Sequence, residues 1–229
     1  MTNRPSLVLL PGLGADRRLF RELEKEVPGL IVPDWPPSPW GDGIDELASR
    51  LVPSLPADRP LFLGGSSFGG FVALRLARLV PTHAVVLIGS CRKPGEIPFA
   101  LRCLAPAAGL LPSAAFRAPP LFFGRPLARL FGAKTAEQQD LFLEMLRDAS
   151  PDFIRWGVRA ISRWREDDSR IDAPVVRIHG GEDRVLPLGS LTADLVIPGA
   201  GHLVPMTHPR EVGEFLAGFL ATLDQRVPS

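Results

Sequence analysis

Only two cysteines occur in the 229 residues, Cys91 and Cys103. They show neither a paired metal-ligand spacing nor the density of a disulfide scaffold, so both read as buried or incidental thiols and no metal is expected. Charge of one sign is also missing. A formal net charge of +1 with 22% charged residues leaves no polybasic face or acidic tail, which argues against nucleic acid and membrane as partners. Long apolar runs are absent, and none approaches the roughly 20 residues that span a bilayer. The first apolar run is cut short by Pro11, Gly12 and Gly14, a pattern unlike a signal peptide, so the expected compartment is the cytoplasm. No internal repeat and no phosphate-cradling loop is found, and no cofactor is expected.

What is present is a 45% hydrophobic content, enough for one substantial core. Short runs rich in Val, Ile and Leu alternate with segments of helical period, the pattern of a parallel sheet covered by helices. Strands are predicted at Ser6 to Leu10, Leu30 to Val32, Leu61 to Gly65, Ala84 to Gly89, Val175 to Gly180 and Asp194 to Gly199. The expected fold class is therefore α/β, a mostly parallel, doubly wound sheet of about six strands. The segment from Pro209 places Val212, Phe215, Leu216, Phe219 and Leu220 on one helical stripe that should lie on the sheet. Over 91–165 the alternation stops. Thr135 with Gln138 forms a capping-box pattern, and Pro151 suits a first helical turn. The chain thus divides into a core of 1–90 and 166–229 and a helical insertion of 91–165.

The stretch "LFLGGSSFGGFVALRLA" joins a strand to a helix through two adjacent serines. Gly-x-Ser-x-Gly fits in one frame, Gly65-Ser66-Ser67-Phe68-Gly69, which makes Ser67 the candidate nucleophile and Ser66 the control. In such an elbow the glycines two before and two after prevent collisions between strand and helix, while the helix start aims backbone N–H groups at the reacting centre. A serine needs a base to become a useful nucleophile. Of the four histidines, His83 precedes a strand and reads as a surface residue, while His179 at a strand end and His208 before Pro209 at a helix start read as structural. His202 follows a strand in a Gly-flanked loop, the placement that suits a general base. The acid that orients it is expected at Asp183, ahead of its neighbour Glu182 and of Asp172, Asp167 and Asp168.

The segments "GGSSFGG", "HGGEDRVLP" and "GAGHLVPMTHP", in that order, resemble the nucleophile, acid and histidine segments of the α/β-hydrolase superfamily. A fourth, "LLPGLGADRRLF", resembles its oxyanion loop, with Pro11-Gly12 where the family often has His-Gly. The resemblance implies a Ser67, Asp183, His202 triad, backbone oxyanion donors at Leu13 and Phe68, and a lid formed by the insertion. It also implies a small-molecule ester substrate, possible thioester activity and a small to medium apolar acyl pocket. Trp35, Phe99, Phe122, Phe123 and Trp156 are candidates to line that pocket, and arginines such as Arg155 and Arg159 to meet an acidic acyl chain or simply to face solvent. A monomer or homodimer is expected. The same scaffold also serves acyltransferases, lyases and slow-turnover ligand receptors, which stay as alternatives.

Overall fold

The computed structural model describes residues 6–59, 61–117, 123–165, 171–189 and 191–224. Alternation with period two decides the sheet. Strands β1 (Ser6–Leu10), β2 (Leu61–Ser66), β3 (Thr82–Ile88), β4 (Val175–Gly180) and β5 (Leu195–Ile197) pair in parallel in that order. Leu7, Leu9, Phe62, Val86 and Ile178 enter a core on one face, and Val8, Leu10, Leu63, Val85 and Leu87 enter a core on the other. Burial on both faces explains why these runs are so apolar.

The strand expected at Leu30 to Val32 shrinks to a single bridge. Ile31 pairs with Val8 on the outer side of β1, held by Leu9 N–H to Ile31 O and Ile31 N–H to Leu7 O, both at 2.9 Å. Pro33 follows two residues later and has no N–H to extend such a ladder. This edge still sets the topology. The chain runs from β1 outward to Ile31 and then back across β1 to β2, so winding reverses between β1 and β2. In open α/β sheets such a reversal opens a crevice at the carboxyl ends of the strands.

The described α-helices are α1 (Leu23–Glu26), α2 (Ile44–Leu51), α3 (Phe68–Leu76), α4 (Phe99–Ala108), α5 (Gly124–Leu130), α6 (Ala136–Asp148), α7 (Pro151–Arg163), α8 (Val204–Thr207) and α9 (Pro209–Asp224). The α9 stripe packs as expected, with Val212 and Leu216 buried in the first core and Phe215, Phe219 and Leu220 against it. Both starts inside the insertion also hold. Thr135 and Gln138 form a reciprocal capping box on α6, and Ser150 caps α7 with Pro151 in its first turn. The insertion feeds the cores of the sheet: Phe142, Leu143 and Met145 of α6 join one, and Phe153 and Ala160 of α7 join the other. Trp164 stacks on Phe71 of α3 at 4.6 Å, tying the end of α7 to the sheet's own helix layer.

A buried ion pair fastens the insertion's start to β4. Arg177, 1% exposed, pairs with Glu96 and donates to Thr192 O at 3.1 Å. Burial, helped by the Glu96 charge, pushes the nearby Cys91 thiol up to about 12, so it stays a protonated core residue; Cys103 is exposed.

Candidate active site

Ser66 and Ser67 have different surroundings. Ser66 ends β2 and is buried, whereas Ser67 is half-buried, outside the strand, at the N-cap of α3. Ser67 has φ 51° and is the one non-glycine with positive φ among the described residues. That geometry is costly for an L-residue and is held by its surroundings: Ser67 N–H donates to Ile88 O at 2.9 Å, and Ser90 Oγ donates to Ser67 O at 2.7 Å. The flanking glycines are required by close backbone approach. A Cβ on Gly65 would lie 2.4 Å from Gly69 C, and one on Gly69 would lie 2.2 Å from Leu10 O. The second contact presses the first turn of α3 against the end of β1.

The loop after β1 passes beside this elbow. A Cβ on Gly12 would be 3.6 Å from Ser67 Cβ. Leu13, next in the chain, packs its side chain against Gly157 of α7, where a Cβ would lie 2.4 Å from Leu13 Cδ1. The N–H of Phe68 belongs to the first turn of α3, where helix N–H groups have no intrahelical acceptor and the dipole is positive.

His202 and Asp183 come from the loops after β5 and β4. His202 Nδ1 lies 2.7 Å from Asp183 Oδ2, and both residues are buried. Burial by itself would raise the Asp183 pKa. The bond and charge of His202 and the Leu186 N–H outweigh it and hold the carboxyl below the usual range. Asp183 Oδ1 accepts Val185 N–H and Leu186 N–H, both at 2.8 Å. An ionised carboxylate only accepts, so the Nδ1 of His202 donates in this bond and Nε2 is the ring nitrogen left to face other groups. The end of β3 joins this pair to the elbow: Ile88 O holds Ser67 N–H, and at the next residue, Gly89, a Cβ would sit 3.6 Å from His202 Nδ1 and 3.7 Å from Asp183 Oδ2.

The other three histidines have different surroundings. His179 Nε2–H donates to Leu186 O at 2.7 Å, and its buried Nδ1 has no partner. Burial holds its pKa below the ordinary value, because protonation would place an unpaired N–H at Nδ1. His208 Nδ1 meets Thr207 Oγ1 at 2.8 Å, and His83 lies against the Phe62 ring at 5.9 Å. Glu182 and Asp172 are exposed, and Asp167 and Asp168 lie outside the described residues.

The aromatic candidates separate into two groups. Trp35 and Trp156 stand against Phe68, with ring centroids at 5.6 Å and 6.3 Å, in a cluster completed by Trp40 and Phe153. Trp156 also donates to Gly41 O at 2.7 Å. Phe99 and Phe123 correct the sequence expectation: they are 79% and 64% exposed and do not enter this cluster. Phe99 opens α4, a helix with no buried residue, and Phe123 immediately precedes α5. Phe122 lies outside the described residues. A cavity of about 440 Å³ is lined by Trp40, Trp156, Arg155 and Arg159 among others; neither it nor a second cavity of about 320 Å³ beside Lys134 and Arg184 has Ser67 in its lining.

Sequence reasoning missed Gly89, Ser90 and the Phe131–Gly132 turn. A glycine at a strand end was a visible signal for Gly89, but Ser90 and Phe131 act through contacts 23 and more than 70 residues away in the chain. Among the described residues, no group of three His, Cys, Asp or Glu side chains is placed to hold a metal ion. No described helix is long and apolar enough to cross a membrane.

The family model of the alpha/beta hydrolase family matches residues 7–215. The chain belongs to that family. Among solved structures, this family member is similar to a thermophilic esterase from Thermogutta terrifontis with malate bound, with TM-score 0.77 and 20% identity over 96% of this chain and 90% of that one. It is also similar to MenH from S. aureus, with TM-score 0.72 and 19% identity over 98% and 96% of the two chains. A carboxylesterase from Nitrososphaera gargenis gives TM-score 0.69 and 18% identity over 98% and 92%. Identities this low show the shared fold. A Synechocystis sp. protein with a provisional non-heme chloroperoxidase name is 39% identical over 70 residues, which span 26% of this chain and about a quarter of that protein's own length.

Proposed function

We propose that this family member is a serine hydrolase of carboxylic esters, thioesters included, with small to medium apolar acyl groups. What supports the reading is that the buried His202–Asp183 pair and a serine in the strained elbow conformation both border the end of β3. Ser67 Oγ attacks the acyl carbonyl carbon while His202 Nε2 takes its proton. The tetrahedral oxyanion rests on the N–H groups of Leu13 and Phe68. Asp183 fixes the tautomer and stabilises the imidazolium. Collapse breaks the bond to the leaving oxygen or sulfur, which receives the proton from His202, and the acyl group stays on Ser67. Water then gives a proton to His202 and attacks the acyl-enzyme; the acid leaves and Ser67 recovers its proton.

The aromatic cluster on Phe68 supports an apolar acyl site, since Trp35 and Trp156 reach the residue that supplies an oxyanion donor. The segment 91–165 is read as the lid over it, with α7 touching Leu13 through Gly157. The test is a hydrolysis profile over ester acyl lengths. A peak at short to medium chains that vanishes in Ser67→Ala supports the reading, and a flat profile unchanged in Ser67→Ala overturns it.

A further inference from the structure

The sheet alone does not explain what keeps His202 in place, because the residue stands beyond β5, a strand of three residues. The loop leading to it, residues 199–201, is held from two sides. On the core side, a Cβ on Gly180 at the end of β4 would lie 2.2 Å from Gly201 O, and Glu182 N–H donates to Ala200 O at 2.8 Å. On the other side is the turn that leaves α5 inside the insertion. Phe131 O accepts His202 N–H at 2.9 Å and Leu203 N–H at 3.1 Å. The Phe131 ring stands at 75° to the imidazole with centroids 5.7 Å apart, and it is backed by Phe142 of α6 at 5.0 Å. Gly132, at φ 96°, and Gly201 touch backbone to backbone: a Cβ on either would fall 2.6 Å or 2.5 Å from the other's Cα. Lys134 Nζ donates to Gly199 O at 2.7 Å.

We infer that the Phe131–Gly132 turn is a positioning element for His202, so that the insertion holds the proton-transfer residue in register with Ser67 as well as covering the site. The inference rests on reading His202 as the general base. One carbonyl binds two successive N–H groups of the His202 loop, so moving that backbone leaves two buried donors unsatisfied. Asp183 fixes one side of the imidazole and the Phe131 ring borders it, leaving little freedom for Nε2. Proton transfer is steeply sensitive to such placement, and a displacement of about 1 Å can cost on the order of a hundredfold in rate.

Three variants test this against the parent on one ester, with circular dichroism and melting temperature recorded for each. Gly132→Ala forces a Cβ into Gly201 at a positive φ. Phe131→Leu keeps the carbonyl and removes the ring. Leu143→Ala opens a void in the same α6 core but belongs to neither turn. The expected result is a kcat fall of about tenfold to a hundredfold in the two turn variants with KM changed by less than about twofold, and a lower melting temperature with nearly parental kcat in Leu143→Ala. If Gly132→Ala does not fold, Phe131→Leu decides by the same kcat criterion. Parental kcat in the folded turn variants, or an equal fall in Leu143→Ala, overturns the inference alone. A folded parent without turnover and without phosphonate labelling of Ser67 overturns the hydrolase reading and the inference with it.

Discussion

Ser66 and Ser67 are neighbours of the same residue type, and burial separates them. Ser66 closes β2 with its side chain inside, while the φ of 51° carries Ser67 out of the strand. The expected outcome in ester hydrolysis is a loss of several powers of ten for Ser67→Ala and a change within about tenfold for Ser66→Ala. Equal losses would assign the role to the wrong serine. His179 gives a second residue-scale outcome. Its folded pKa is depressed by burial, so on acidification the unfolded chain binds that proton first, and stability falls as pH drops below about 6.5. Asp183 has a depressed carboxyl, so its contribution is lost only at more acidic pH, below about 4. Urea midpoints measured between pH 7 and 5 should therefore decline, and the decline should flatten in His179→Gln, which cannot titrate. An unchanged slope would mean that His179 does not control this window.

At the scale of elements, the elbow depends on contact between α3 and the end of β1. Gly69→Ala would drive a Cβ to 2.2 Å from Leu10 O, so α3 or β1 must move. Overpacking of this kind costs about 1–3 kcal/mol, read as a lower denaturation midpoint, and esterase activity should fall further than stability because the Phe68 N–H moves with the turn. Full activity in a folded Gly69→Ala would contradict the elbow as described. The strand "LFLGG", the glycine frame, the capping box at Thr135 and the α9 stripe were all legible in the sequence because each is a local pattern. The strand at Leu30 to Val32 was not: its three apolar residues suggested a ladder, but only Ile31 pairs and Pro33 follows. Phe99 and Phe123 show the opposite limit. Aromatic identity pointed inward, while their positions at the start of α4 and just before α5 turned both to solvent.

At the scale of the whole molecule, the insertion and the sheet share their cores, and Glu96 with Arg177 joins them electrostatically. Glu96→Gln leaves the Arg177 guanidinium buried without its counter-charge. Breaking one partner of a buried pair costs roughly 3–5 kcal/mol. Chemical denaturation should show that loss as one cooperative transition; a loss under about 1 kcal/mol would mean that water replaces the carboxylate. This sharing also explains what could not be read from the chain. A change of rhythm at 91 and 165 could be read from the sequence, but α6 and α7 packing into opposite cores, and the Phe131 carbonyl reaching the His202 backbone, depend on contacts that no local pattern encodes.

The proposed function makes Ser67 an activated nucleophile, driven by the His202–Asp183 pair. It is tested most directly by reacting the folded protein with a fluorophosphonate and locating the adduct by peptide mass spectrometry, alongside His202→Ala. The expected result is a single stoichiometric adduct on Ser67 in the parent and labelling slowed by several powers of ten in His202→Ala. An adduct on another residue, no adduct, or equal labelling without His202 would contradict it.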